Sequence, residues 1–274
     1  MYTSCLLIDT GDNPDRPRPG RLWLRNLYHV HQRLCMAFPS DPRRRRDPEF
    51  LAPYKPDDFP EQHHLADRRK ADVPAETLRE VHGPRGADAG FLFRIDPQPG
   101  GRAVILVQSA TKPHWDYAFQ NAGHLLATRP EVKPCKPSFT NGQRLRFRLA
   151  ANATRRLSTR SLGPDGQPIE KGAGRRVPVP RDCLIDWLAG RACKAGFSVD
   201  KDLTRVSSGY LHVNKTRDGA AIRLFSARYD GALNVTDPAL FAATLARGIG
   251  AGKAFGLGLL SVAPCQPPQR AEAP

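Results

Sequence analysis

The 274-residue chain has no apolar run approaching the ~18 residues needed to cross a bilayer. Its start has no basic stretch followed by an apolar one of the kind that directs secretion. A soluble, cytoplasmic protein without a membrane partner is therefore expected. Paired cysteines are missing as well. None of Cys5, Cys35, Cys135, Cys183, Cys193 and Cys265 forms a C-x-x-C pair, which disfavours zinc ribbons and thioredoxin-type redox sites. The adjacent His63 and His64 cannot both face one metal from a regular helix. No metal and no cofactor are expected, and the thiols read as reduced and buried. Acidic residues are in short supply: 27 Asp and Glu face 42 Lys and Arg, a net charge of +15 that points to an anionic partner, most simply nucleic acid. With 40 % hydrophobic and 8 % aromatic residues, the chain can bury a core and is not read as disordered.

Met1 to Ile8 ends apolar and reads as a strand, followed by a connector carrying Pro14, Pro17 and Pro19. From Leu24 the apolar positions Leu24, Leu27, Val30, Leu34 and Phe38 recur at three- and four-residue steps, predicting one helix that Pro39 stops. Residues 41–88, rich in proline and in charge of both signs, read as a long insertion with a short helix near 75–81. Its run Arg43-Arg44-Arg45-Arg46 could contact RNA. The acidic neighbours Asp41, Asp47, Glu49, Asp57 and Asp58 largely cancel it, which favours a solvated loop. Strands at Gly90–Ile95 and Ala103–Gln108, a helical stretch from Asp116 to Ala127 and a strand near Val132 complete a βαββαβ pattern.

The second half repeats that pattern. In Arg144-Leu145-Arg146-Phe147-Arg148-Leu149 the alternation is strict, placing three apolar residues on a core face and three arginines opposite. A Gly/Pro loop from Gly163 to Gly174 leads through Val177-Pro178-Val179 into a helix from Asp182 to Lys194. Strands follow near Tyr210–Val213 and Ala221–Asn234. A helix from Pro238 to Arg247 has Thr236 or Asp237 as its cap, and a strand from Leu259 to Ala263 closes the pattern. The fold expected is α+β: two tandem ferredoxin-like domains, 1–140 and 141–274.

Positive charge is concentrated in the second half. Arg144, Arg146, Arg148, Arg155, Arg156, Arg160, Lys171, Arg175, Arg176 and Arg181 are opposed within their segment only by Asp165 and Glu170. A generally basic surface is the competing reading of this segment. Beyond it comes Gly248-Ile249-Gly250-Ala251-Gly252-Lys253-Ala254-Phe255-Gly256-Leu257-Gly258. This is no P-loop, because Arg247 stands where the first glycine is needed and Ala254 where Ser or Thr is needed. It is no dinucleotide fingerprint either, because Lys253 occupies the third glycine position. A helix-to-strand turn would explain one or two of its five glycines. The excess suggests backbone N–H groups approaching phosphates, at Gly250 and Gly252 among others.

Gly248 to Ser261, read as G-I-G-x-G-K-x-F-G-x-G-L-L-S, resembles the glycine-rich loop of CRISPR-associated RNA-processing proteins. Together with Leu27-Tyr28-His29-Val30-His31-Gln32, Val107-Gln108-Ser109-Ala110 and Arg148-Leu149-Ala150-Ala151-Asn152, the chain resembles the CasE family, the endoribonuclease of the subtype I-E Cascade complex. The likeness runs through nearly the whole chain; the insertion at 41–88 and the proline-rich connector depart from it. It implies metal-independent cleavage of a CRISPR repeat hairpin at its 3′ base, with the protein remaining among the other Cascade subunits. By the same resemblance His31 takes the place of the catalytic histidine and Tyr28 that of its tyrosine partner.

Residues 28 and 31 lie three apart on a helix and so share a face, whereas His29 projects elsewhere. RNA carries its own nucleophile, the 2′-OH, so proton transfer, in-line geometry and charge stabilisation suffice. An imidazole with an unperturbed pKa of ~6.5 suits the proton transfer. Tyr28 would orient the phosphate or assist the 2′-OH, and Lys253 would neutralise developing charge. The products would be a 2′,3′-cyclic phosphate and a 5′-OH. The resemblance also implies a basic hairpin, within Arg144 to Arg181, that grips the RNA stem. A slender hairpin suits the deep, narrow major groove of A-form RNA. A subunit that binds the hairpin without cutting it is the alternative, and the presence of both Tyr28 and His31 argues against it.

Overall fold

Alternation in Tyr2–Asp9 (β1) buries Leu6 and Ile8 completely and leaves their neighbours partly accessible. The computed structural model describes residues 1–11, 19–38, 90–99, 102–156, 176–213 and 222–265. The insertion expected at 41–88, with its arginine run and short helix, lies outside them, as do the Gly163–Gly174 loop, Arg160, Lys171 and Arg175. The chain divides into two units, Met1–Lys136 and Pro137–Pro274.

In the first unit, β1 is followed by two helices, Pro19–Leu24 (α1) and Leu27–Met36 (α2), where one had been expected from Leu24. Asn26 makes the break. Its side-chain oxygen accepts from the Tyr28 N–H at 3.2 Å, capping α2 where the chain would otherwise run on. Helix α2 buries Val30 and Leu34, four residues apart, against the sheet. Strands Phe91–Gln98 (β2) and Arg102–Ser109 (β3) form the expected antiparallel pair, Phe93 opposite Val107. The helix expected from Asp116 to Ala127 is shorter: Trp115–Phe119 (α3) and a 3-10 turn at Gly123–Leu125, separated around an Asn-Ala-Gly sequence that is poor for helix. Strand Glu131–Pro134 (β4) completes an antiparallel sheet ordered β2-β3-β1-β4.

The second unit opens on Arg144–Ala151 (β5), whose Leu145, Phe147 and Leu149 are buried as the alternation predicts. Thr154–Arg156 (β6) pairs with Arg176–Pro178 (β7) in a separate two-stranded ribbon. After a 3-10 turn at Arg181–Cys183 comes Leu184–Cys193 (α4), which buries Leu184, Leu188 and Ala192. The edge of the main sheet is built from two pieces, Phe197–Val199 (β8) and Arg205–Val213 (β9), both pairing with the long Ile222–Val235 (β10). The sequence pattern predicts only the second piece. Residues 200–204 bulge between them, and Thr204 packs against β10 so closely that a Cβ on Gly231 would stand 2.6 Å from its hydroxyl. Pro238–Arg247 (α5) is capped by Asp237, whose carboxylate accepts from the Leu240 N–H at 2.9 Å. Leu260–Pro264 (β11) finishes a sheet ordered β11-β5-β10-β8.

Both units thus follow strand–helix–strand–strand–helix–strand, with the first strand between the third and fourth and the second at the edge. This is the ferredoxin-like α+β arrangement expected from the sequence. Among the described residues no helix is long and apolar enough to cross a membrane.

Candidate active site and nucleic-acid interface

Helix α2 carries Tyr28, His29 and His31, and the Asn26 cap sets where its first turn begins. His31 is half-buried. Its ring stacks on Phe91 (centroids 5.6 Å apart, planes at 27°) and on Phe93 (6.3 Å, 19°), both from β2. One turn along the helix the Cys35 sulfur lies 3.5 Å from His31 Nε2. Two aromatic rings and a neighbouring thiol therefore limit the imidazole's rotation, while His29 is exposed and leans toward Tyr28 at 6.3 Å. Helix α2 is tied to α3 by Arg33, whose guanidinium donates to the Ala118 carbonyl at 3.1 Å. Tyr28 and His31 share this helix in the first unit, whereas Lys253 belongs to the second. Among the described residues no three His, Cys, Asp or Glu side chains gather as a metal site would require.

In the second unit the β6–β7 ribbon stands beside α4, and a groove of about 530 Å³ runs between them. Arg155, Arg156 and Arg176, all selected from the sequence, line it with Arg191 and Lys194, which were not. Both added cations sit at the C-terminal end of a helix, where basic residues routinely complement the macrodipole, so their spacing carried no separate signal. Arg191 is held over the Trp187 ring at 5.2 Å, and Trp187 Nε1 donates to the Thr154 carbonyl at 3.3 Å, joining helix to ribbon. Asp186 is the single acidic residue among the described lining, and Lys201 already engages it at 2.7 Å.

The glycine-rich loop follows α5. Gly248, Gly250, Gly252, Gly256 and Gly258 all have positive φ, between 73° and 93°. The backbone path therefore requires all five, where a turn had been expected to explain only one or two. The Ile249 N–H donates to the Gly258 carbonyl at 2.9 Å, closing the loop on itself, and the Gly258 N–H donates to the Ala150 carbonyl on β5. Lys253 begins a 3-10 turn at the loop's centre, half-buried, its side-chain stem lying against Gly258. Burial, with the nearby Arg247 charge, lowers its pKa below the ordinary lysine value. Gly258→Ala would bring a Cβ within 2.9 Å of the Ile249 carbonyl oxygen and 3.3 Å of the Lys253 Cγ, at φ +93°. We expect it to cost about 1–3 kcal/mol in denaturant unfolding, with the Lys253 turn displaced.

Arg144, Arg146 and Arg148 occupy a different surface, the sheet face opposite the one that carries the core. Arg144 pairs with Asp200 at 2.7 Å, and Arg148 and Arg228 both donate to Asp230. Among the described residues Arg146 forms no ion pair. Partial burial alone would raise the Asp230 pKa, but the hydrogen bonds from the two arginines outweigh it and hold the carboxyl below its usual range. A depressed folded-state pKa contributes stability above the unfolded value of ~3.9, lost as pH falls through the folded one. The three side chains remain partly solvent-exposed, so screening limits the interaction and Asp230→Asn should cost only about 0.2–1 kcal/mol at pH 7. Urea unfolding should show that difference shrinking as pH falls below ~4 and disappearing only once pH is below the depressed folded-state value; a gap that stays constant as pH falls through this range would refute it.

A protein-family model described as CRISPR associated protein matches residues 76–264. The CRISPR-associated endoribonuclease Cse3 of Thermus thermophilus is 34 % identical over 185 residues, covering 64 % of this chain and 80 % of the relative. The chain belongs to the CasE family of CRISPR-associated endoribonucleases. The Cascade subunit CasE of Escherichia coli is 25 % identical over 247 residues, 89 % of this chain and 95 % of that one. A solved structure of Thermus thermophilus Cse3, bound to an RNA representing a pre-cleavage complex, superposes with a TM-score of 0.64. It is 26 % identical and covers 96 % of this chain and 98 % of that one. For a CasE-family chain, the structure brings Arg155, Arg156 and Arg176 into one groove and leaves the three β5 arginines on another surface.

Proposed function

We propose that this CasE-family endoribonuclease cleaves CRISPR precursor RNA at the 3′ base of its repeat hairpin without a metal ion, and remains on the product as a subunit of Cascade. The observation that carries this reading is His31, held by two aromatic rings on the helix that also bears Tyr28. The 2′-OH at the scissile nucleotide attacks the adjacent phosphorus, the P–O5′ bond breaks, and the 2′ proton is balanced by one gained at the departing 5′ oxygen. His31 moves one of those protons, and a ring fixed in place loses little entropy in doing so. Tyr28 orients the phosphate. Lys253 neutralises charge developing on it, as a cation whose burial strengthens its field.

The β6–β7 ribbon, through Arg155, Arg156 and Arg176, holds the stem, with Arg160, Lys171 and Arg175 in the segment that joins its strands. Gly250 and Gly252 offer backbone N–H groups to phosphates, and Arg144, Arg146 and Arg148 add to the basic field. Binding that rests mainly on phosphate contacts should weaken steeply with salt.

One experiment tests the reading: the repeat RNA in EDTA, beside the same RNA with a 2′-deoxy substitution at the scissile nucleotide. Cleavage that persists in EDTA, leaves a 2′,3′-cyclic phosphate and stops with the deoxy substrate supports it. Tight binding of the native RNA without cleavage would instead identify a binding-only subunit, and inhibition by EDTA would overturn metal independence.

A further inference from the structure

The His31 imidazole presents its two nitrogens to different surroundings. Nδ1 is buried, whereas Nε2 points at the sulfur of the half-buried Cys35, 3.5 Å away. Phe91 and Phe93 both stack nearly parallel to the ring, so exchanging the nitrogens means prising it from two aromatic faces. Only Nε2 can meet a reacting oxygen from outside the chain without that rearrangement.

The sulfur is mounted as firmly as the ring. Residues four apart on a helix are surface neighbours, which is how Cys35 reaches His31. The Cys35 carbonyl accepts from the Phe38 N–H at 3.1 Å, and the His114 N–H donates to the Ala37 carbonyl at 2.9 Å, tying down the end of α2. Phe38 in turn stacks on Phe91, with centroids 4.9 Å apart and planes at 18°. The imidazole and the last turn of α2 therefore share one packed support. A free cysteine ordinarily packs as a small apolar group; here its side chain meets the nitrogen that the reaction needs. A thiol is a weak donor and a weak acceptor, so it can partner Nε2 in either tautomer and still yield it to an oxygen of the RNA.

We propose that Nε2 is the nitrogen through which His31 moves its proton, and that Cys35 is a positioning residue that keeps this nitrogen aimed until an RNA oxygen replaces the sulfur. The thiol acts only through the imidazole and takes no proton itself. This role rests on the catalytic reading of His31 above, to which it adds the reacting atom and the side chain that directs it.

Cys35→Ala and Cys35→Ser, made in the full chain, test the role through single-turnover cleavage of the repeat RNA, hairpin affinity and the nitrogen NMR resonances of the imidazole. Cys35→Ala should cut about two- to tenfold more slowly, the worth of one net hydrogen bond. Its affinity for the hairpin should stay within about twofold of wild type, because the contact orients a reacting group and does not bind RNA. Cys35→Ser keeps a donor and an acceptor at the position and should recover most of the lost rate. In the free protein, Cys35→Ala should move the His31 Nε2 resonance and leave those of the other histidines in place. Cleavage by Cys35→Ala at the wild-type rate or faster would overturn the positioning role. An equal loss in the alanine and serine variants would do the same and make Cys35 a packing residue, and an unmoved Nε2 resonance would overturn the contact itself. A wild type that leaves the repeat uncut, or a His31→Ala variant that cuts normally, refutes the catalytic reading. A wild type that cuts, a His31→Ala variant that does not and an unaffected Cys35→Ala variant refute the role of Cys35 alone.

Discussion

Replacing His31 with alanine should lower the single-turnover rate of hairpin cleavage by about 10²–10⁴, the range supplied by one positioned proton-transfer group. Affinity for the hairpin should change by less than about threefold, because the proposed phosphate contacts of the ribbon cations are untouched. The imidazole also packs on Phe91 and Phe93, so the variant's unfolding must be measured beside its rate to separate lost chemistry from lost structure. His29→Ala is the internal control: two positions away and exposed, it should cut at the wild-type rate. A His31→Ala variant that turns over normally, or a His29→Ala variant that does not, would remove His31 from the reaction.

Phe93→Ala should give the largest loss of stability among single substitutions near this site. Phe93 is wholly buried in the middle of β2, its ring lying between the first unit's core and the His31 imidazole. Deleting a buried phenyl ring costs about 3–5 kcal/mol, a large share of the ~5–15 kcal/mol that holds a domain together. Phe93→Leu keeps most of the volume and should cost less than about 1.5 kcal/mol. Because His31 loses one of its two aromatic supports, the cleavage rate of Phe93→Ala should fall even well below its unfolding temperature, with KM little changed. Unfolding within a degree or two of wild type would show that this ring does not hold the core.

Much of this was legible in the chain. Strict alternation in Arg144–Leu149 announces a strand with one wet and one dry face, and Leu145, Phe147 and Leu149 are buried accordingly. Asp237 followed by Pro238 announces the start of α5. Asn26 was equally available as a cap, but apolar spacing runs through it from Leu24 to Phe38, and period alone joins two helices into one. Strand β8 left no signal because three residues are too few to show alternation, and only its pairing with Leu233–Val235 makes it a strand. The glycines of residues 248–258 announced an unusual backbone, and the tertiary structure supplied the reason: every one has positive φ.

By itself, the sequence determined the repeated strand and helix pattern, the excess of positive charge and the presence of a tyrosine and a histidine one turn apart. Those depend on residue type and local period, which survive without knowledge of the fold. The tertiary structure decided which cations share a surface. Arg148 and Arg155 are near neighbours in sequence, yet one is drawn to Asp230 on the open sheet face while the other meets Arg191 and Lys194 across a groove. Strand pairing and helix packing, which bring together residues far apart in the chain, set that division.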